Sequence, residues 1–107
     1  MKEMFVYATA SSSDEAKKIA KILVDQRLAA CVNIIPQVQS IYRWEGKITE
    51  SSEVVMIMKT AHGKFKDLER VFIANHSYVC PALVAIPIEQ GLPAFLEWVR
   101  DNTRMDA

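Results

Sequence analysis

The sequence predicts an α+β domain in which a four-stranded antiparallel sheet carries its helices on one face. Three observations point to it. Apolar runs of strand character alternate with segments of helical period in the order βαββαβα. The two middle runs are joined by a hairpin signal instead of a helix. The chain has 107 residues, 50% of them hydrophobic, which suits one core and leaves no room for a second domain. Two βαβ units sharing a middle hairpin make the split βαβ, ferredoxin-like plan.

Each element has its own local signal. Met4-Phe5-Val6-Tyr7-Ala8-Thr9 is short and β-prone, and the serines at 11 to 13 end it. Ser12 with Glu15 three residues later fits a capping box, and Asp14 and Glu15 put negative charge where a helix start presents free amides. The helix opened there, near Ser13, has Ala16, Ile19, Ala20, Leu23 and Arg27 on one face, with Lys17, Lys18 and Lys21 turned away. Leu28 to Ala30 lead into a second strand from Cys31 to Trp44, in which Pro36 marks a bulge or a bend on an edge. Trp44-Glu45-Gly46-Lys47 reads as a hairpin tip. Because Glu disfavours φ > 0, a type I turn with Gly46 in a G1 bulge is expected over type I′. The third strand runs from Lys47 to Thr60.

Ala61 to Asn75 returns to a helical period with Phe65, Leu68 and Phe72 inward, and Pro81 forbids its continuation. Ala82-Leu83-Val84-Ala85-Ile86 is a continuous apolar run of the kind expected in a fully buried strand. Gly91 breaks the chain, and Pro93 suits the first turn of a last helix whose Phe95, Leu96, Trp98 and Val99 are expected to dock on the sheet. The middle strands stand out by length. Runs of ~13 residues at ~3.3 Å each extend ~40 Å, against a usual ~5–6 residues. Such arms overhang a body too small to cover Val38, Ile41, Tyr42, Trp44 and Ile48, so an obligate oligomer is expected.

Charge narrows the function. Thirteen basic and 13 acidic side chains leave no net charge and no basic stripe, which excludes nucleic acid as the main partner. An RNA-binding version of this fold needs aromatics on a central strand, and Val54 to Met58 has none. No apolar run approaches the ~18–20 residues of a membrane span, and no secretion signal is read. Cys31 and Cys80 form no CxxC pair, so reduced thiols in the cytoplasm are expected. No Ser-His-Asp order, phosphate loop or HExxH pair is present, so the chain is not expected to be an enzyme.

The cysteines and His76 are the chemically interesting residues. A free cysteine ordinarily packs, and the other reading is a soft-metal ligand or redox thiol partnered by His76, four residues before Cys80. His76 lies in a loop, where binding groups concentrate, or serves as a histidine near a helix end. His62 reads as surface. Tyr42 and Trp44 read as subunit packing before ligand stacking.

The segments Arg27-Leu28-Ala29-Ala30-Cys31-Val32-Asn33-Ile34, Ser40-Ile41-Tyr42-Arg43-Trp44-Glu45-Gly46-Lys47-Ile48, Met56-Ile57-Met58-Lys59-Thr60 and Ile86-Pro87-Ile88-Glu89-Gln90-Gly91 resemble CutA, the divalent-cation tolerance family, as do His76-Ser77-Tyr78 and Phe95-Leu96-Glu97-Trp98-Val99. The resemblance spans almost the whole chain in the family's order. It implies a homotrimer built through the long hairpins, similar to the PII signalling proteins, with interface residues Ile41, Tyr42, Trp44 and Ile48. It also implies binding of copper, Cu(I) or Cu(II), or another divalent cation such as zinc, none of it required for folding. Cys31 and His76 are the ligands carried over, Lys59 and Tyr78 their neighbours in a cleft, and Cys80 is an added thiol. The family usually reads His-Pro-Tyr, then Glu or Gln, with Glu after the proline. Here Ser77, Val79 and Ala82 stand at those places, and a site losing carboxylates shifts toward Cu(I) or Zn(II). Two other readings stay open: a small-molecule sensor holding an anion through Lys59, and a structural trimer anchoring a partner protein.

Overall fold

The computed structural model describes residues 2–104, and its elements follow the order read above. They are β1 (Met4–Ala10), α1 (Ser13–Asp25), β2 (Cys31–Trp44), β3 (Lys47–Thr60), a 3-10 turn (His62–Lys64), α2 (Phe65–Ala74), β4 (Leu83–Pro87) and α3 (Pro93–Asp101). The sheet order is β2-β3-β1-β4, with every pairing antiparallel, the split βαβ arrangement. No described helix is long and apolar enough to cross a membrane.

Strand alternation gives the sheet two unlike faces. Val6, Ala8 and Ala10 of β1 stand beside Met58, Met56 and Val54 of β3 and are buried under Ile19 and Leu23 of α1 and Leu68 and Phe72 of α2. The other face carries Phe5, Tyr7, Val84 and Ile86, all at least 38% exposed. No described element covers it.

β1 pairs with β3 only from Val54 to Thr60, whereas β2 follows β3 along its whole length. Residues 38–44 and 47–53 therefore form a two-stranded arm beyond the body, about 23 Å long at ~3.3 Å per residue. The register shifts between Ile35 and Val38, where β2 holds one residue more than β3. This is the bulge expected at Pro36, which has no N–H to pair.

Four expectations are corrected. The hairpin tip is a two-residue loop with φ of 49° at Glu45 and 79° at Gly46. Both angles are positive, so the turn is type I′, whose twist matches the long strands it joins and outweighs the propensity of Glu. β4 is an edge strand bonded only to β1, so Val84 and Ile86 are more than half exposed and the strand is not fully buried. On α3 only Val99 is fully buried. Phe95 and Trp98 stack on each other at 5.8 Å and stay near 40% exposed. Arg27 is not on the helical face, because α1 ends at Asp25 and Arg27 takes a left-handed φ of 59°.

Candidate functional site

The loop after α2 is organised by one histidine. The His76 side chain is fully buried, packed against the rings of Phe72 and Tyr78 at centroid distances of 4.9 and 4.8 Å. The Tyr78 N–H donates to Nδ1 at 3.0 Å, so that nitrogen carries no proton, and the Nε2–H donates to the Thr9 carbonyl at 2.7 Å. Both ring nitrogens are engaged. This histidine fixes the direction in which the loop leaves the helix.

Glu15 ties the same loop to α1. Ser12 caps the helix, its hydroxyl accepting from the Glu15 N–H at 3.1 Å, but the reciprocal half of the capping box is displaced by one residue. The Glu15 carboxylate instead accepts from the Ser11 N–H at 3.0 Å and the Ser11 hydroxyl at 2.9 Å, and from the Ser77 N–H at 2.8 Å. Burial alone would raise its pKa, but the hydrogen bonds from Ser11 and Ser77 prevail and lower it from the usual 4.5 to about 2.

Beyond the end of β1, the arm and the loop enclose a cleft of about 680 Å³. Tyr42, Trp44 and Glu53 form its arm side and Tyr78, Val79 and Cys80 its loop side. The Tyr78 hydroxyl donates to Glu53 Oε2 at 2.9 Å, joining the two sides. Burial, then this hydrogen bond and the Glu53 charge, push the phenol up to about 12, so it remains a donor throughout the neutral range. On the arm itself the Tyr42 and Ser51 hydroxyls are hydrogen-bonded at 3.2 Å.

Of the residues singled out from the sequence, Tyr78 and the exposed Cys80 line this cleft, while His76 stands behind it. Cys31 and Lys59 lie elsewhere. They are cross-strand partners, and the Lys59 ammonium donates to Asn33. Four rungs of the ladder, roughly 13 Å at ~3.3 Å per residue, separate their row from that of Ile35, Val55 and Thr9. One protomer therefore does not gather Cys31, His76 and Cys80 into a ligand set. Among the described residues no three His, Cys, Asp or Glu side chains are placed to hold a metal ion. Glu53 belongs to no motif. Its one sequence signal is a carboxylate on the strand face that continues as Val55 and Ile57, where an apolar side chain would suit the sheet.

A model of the family described as CutA1 divalent ion tolerance protein matches residues 4–102. The chain is 50% identical over 98 residues to the divalent-cation tolerance protein CutA of Archaeoglobus fulgidus, covering 92% of this chain and 95% of that one. Among solved structures, that of the divalent cation tolerance protein (Cut A1) from Thermus thermophilus superposes with a TM-score of 0.92 at 44% identity, over 95% of this chain and 99% of that one. The structure of the A. fulgidus protein, called there a periplasmic divalent cation tolerance protein, also gives 0.92, at 45% identity over 95% and 99% of the two chains.

Proposed function

The chain belongs to the CutA1 divalent ion tolerance family, and we propose that it acts as a cytosolic homotrimer that binds copper, or another divalent cation such as zinc, without chemical turnover. The observation that carries the assembly is the arm. Tyr42 and Trp44 expose 41% and 50% of their surface and Ile41 and Ile48 69% and 71%, with nothing among the described residues to cover them. By strand alternation Tyr42 and Trp44 lie on one face of the arm and Ile41 and Ile48 on the other. An arm apolar on both faces is best clasped by two neighbours, as a closed ring of three provides. The bare sheet face and the outer strands β2 and β4 offer further area to the same neighbours.

Metal binding draws on residues that one protomer holds apart. Cys80 offers an accessible thiol and Glu53 a carboxylate on the two sides of the cleft, and Cys31 stands on the uncovered sheet face. A complete coordination sphere takes donors from a second copy, and thiol character favours Cu(I) or Zn(II). His76 serves this site as a positioning residue for Tyr78 and Cys80, since its nitrogens are already hydrogen-bonded. The anion-sensing reading through Lys59 has less support, because none of the twelve residues lining the cleft is Lys, Arg or His.

Sedimentation equilibrium combined with isothermal titration of Cu(I), Cu(II) and Zn(II) tests both halves. A particle three times the 12.1 kDa chain is expected, with metal affinity reduced in both Cys80→Ala and Cys31→Ala. A monomer at micromolar concentration refutes the assembly. Affinities unchanged in both variants refute the ligands, and no binding at all leaves the anchoring of a partner protein as the better reading.

A further inference from the structure

Resting on the homotrimer proposed above, we infer that the guanidinium of Arg43 enters the arm–loop cleft of the next copy in the ring and pairs there with Glu53. Tyr42 and Trp44, which line the cleft, belong to the surface that a neighbour covers, so its volume of about 680 Å³ does not stay open in the assembly. Protein interiors hold few voids larger than a water molecule, and the covering copy must fill this one with its own side chains. Glu53 is the one charged residue in the lining. Its Oε2 accepts from the neutral Tyr78 hydroxyl at 2.9 Å, and among the described residues it forms no ion pair. A carboxylate buried without a cation is strongly destabilising, so whatever fills the cleft brings one.

Ring symmetry selects the cation. By cross-strand register Glu53, Tyr42, Trp44 and Lys47 share one face of the arm, and Ile41, Arg43, Ile48 and Glu50 share the other. A ring closes through equivalent head-to-tail contacts, so the patch a protomer offers forward differs from the patch it offers back. With one face of the arm against the following copy and the other against the preceding one, the two faces stand on opposite sides of the same interface. Lys47 shares the face of Glu53, as does Lys59 further along β3, whereas Arg43 is the one cation on the opposed face of the arm. Arg43 is uncommitted within its own chain. It donates to the Gly46 carbonyl at 3.4 Å and, among the described residues, forms no ion pair, with Glu50 or any other acid. The exposed Ile41 and Ile48 flank it and would keep water from the pair, and a guanidinium stacks on tyrosine and tryptophan rings as an ammonium does not. The pairing neutralises the one carboxylate of the cleft and leaves metal binding to Cys80 and Cys31.

Subunit exchange between light and heavy-isotope pools of the full chain, followed by native mass spectrometry, tests the pair once sedimentation has given the mass of the wild type. Glu53→Gln, which keeps an acceptor for Tyr78, and Arg43→Gln should each speed exchange at least about tenfold. The double variant should be no more than about threefold faster than the faster single, because one contact cannot be lost twice. Lys47→Gln should instead multiply with Glu53→Gln. Multiplying effects of Glu53→Gln and Arg43→Gln, or coupling of Glu53 to Lys47 in place of Arg43, overturn the inference and leave the trimer standing; a monomeric wild type overturns both. Should Glu53→Gln fail to fold, the charge reversal decides: Arg43→Glu combined with Glu53→Arg is expected to exchange more slowly than Arg43→Glu alone, and no recovery overturns the pair.

Discussion

At the scale of single residues, the loop that carries Cys80 is held by hydrogen bonds with little slack. Glu15 receives three from Ser11 and Ser77, and Glu15→Gln is expected to destabilise the protein by about 2 kcal/mol, since bonds to a charged acceptor are worth roughly 1.5–3 kcal/mol. Its pKa lies below that of the unfolded chain. The stabilisation is thus fully present above pH 4.5 and is lost as pH falls toward about 2. Acid unfolding followed by circular dichroism should show this loss in the wild type and a flatter profile in Glu15→Gln. Tyr78 has the opposite sense. Its phenol ionises near 12 in the folded protein, so stability is complete below about pH 10 and declines as pH rises from there. A spectrophotometric titration should show a phenol ionising near pH 12, and Tyr78→Phe should remove that step.

At the scale of elements, two backbone conformations run against the side chains that adopt them. Arg27 closes α1 in a left-handed conformation, with its N–H on the Val24 carbonyl and the Leu28 N–H on the Leu23 carbonyl, a helix end that glycine fits without strain. Arg27→Gly should raise the thermal midpoint, a gain of about 1 kcal/mol, and Glu45→Asn should do the same on a smaller scale at the hairpin tip. Docking of α3 depends on a charge pair as well as on Val99. Glu3, 7% exposed in its side chain, accepts from Arg100 at 3.0 Å. Arg100→Ala leaves that carboxylate buried alone and should cost roughly 2 kcal/mol in urea unfolding. These elements also mark what was legible in advance. Every strand and helix was visible from period and turn residues, because each local signal agrees with the tertiary fold. Two of the four failures have a common cause. Exposure of β4 and of Phe95 and Trp98 depends on which strand lies at the edge and on what covers it, and an apolar run reads the same whether its shelter is its own chain or another. The cleft was half legible. Cys80 was found by residue type and Tyr78 through the family resemblance, but Glu53 enters through the register of a hairpin, which composition does not record.

At the scale of the whole molecule, the shape is that of a body with a projecting limb. Its extents are 45 × 26 × 22 Å and its radius of gyration 14.4 Å, above the ~13 Å of a compact chain of this length. Placing acid side chains on both faces of the limb, as Trp44→Asp with Ile48→Asp, should weaken self-association by at least ~10²-fold if buried anchors of this kind hold the assembly. Sedimentation velocity over a dilution series reads the change. The isolated body should keep its fold in this variant, since the core of Ile19, Leu23, Met56, Met58, Leu68 and Phe72 lies in the body and both substituted residues lie on the arm beyond it.

The irregularity after Ile35 gives the limb a mechanical meaning. β3 passes through it without interruption, but β2 yields there by one residue, so bending between limb and body concentrates at that point. With about 23 Å of lever beyond it, a rotation of about 5° displaces the tip by roughly 2 Å. Glu53 lies opposite Val38, at the fulcrum. Whatever grips that carboxylate therefore acts at the short end of a crank whose long end carries the exposed Trp44 and Ile48.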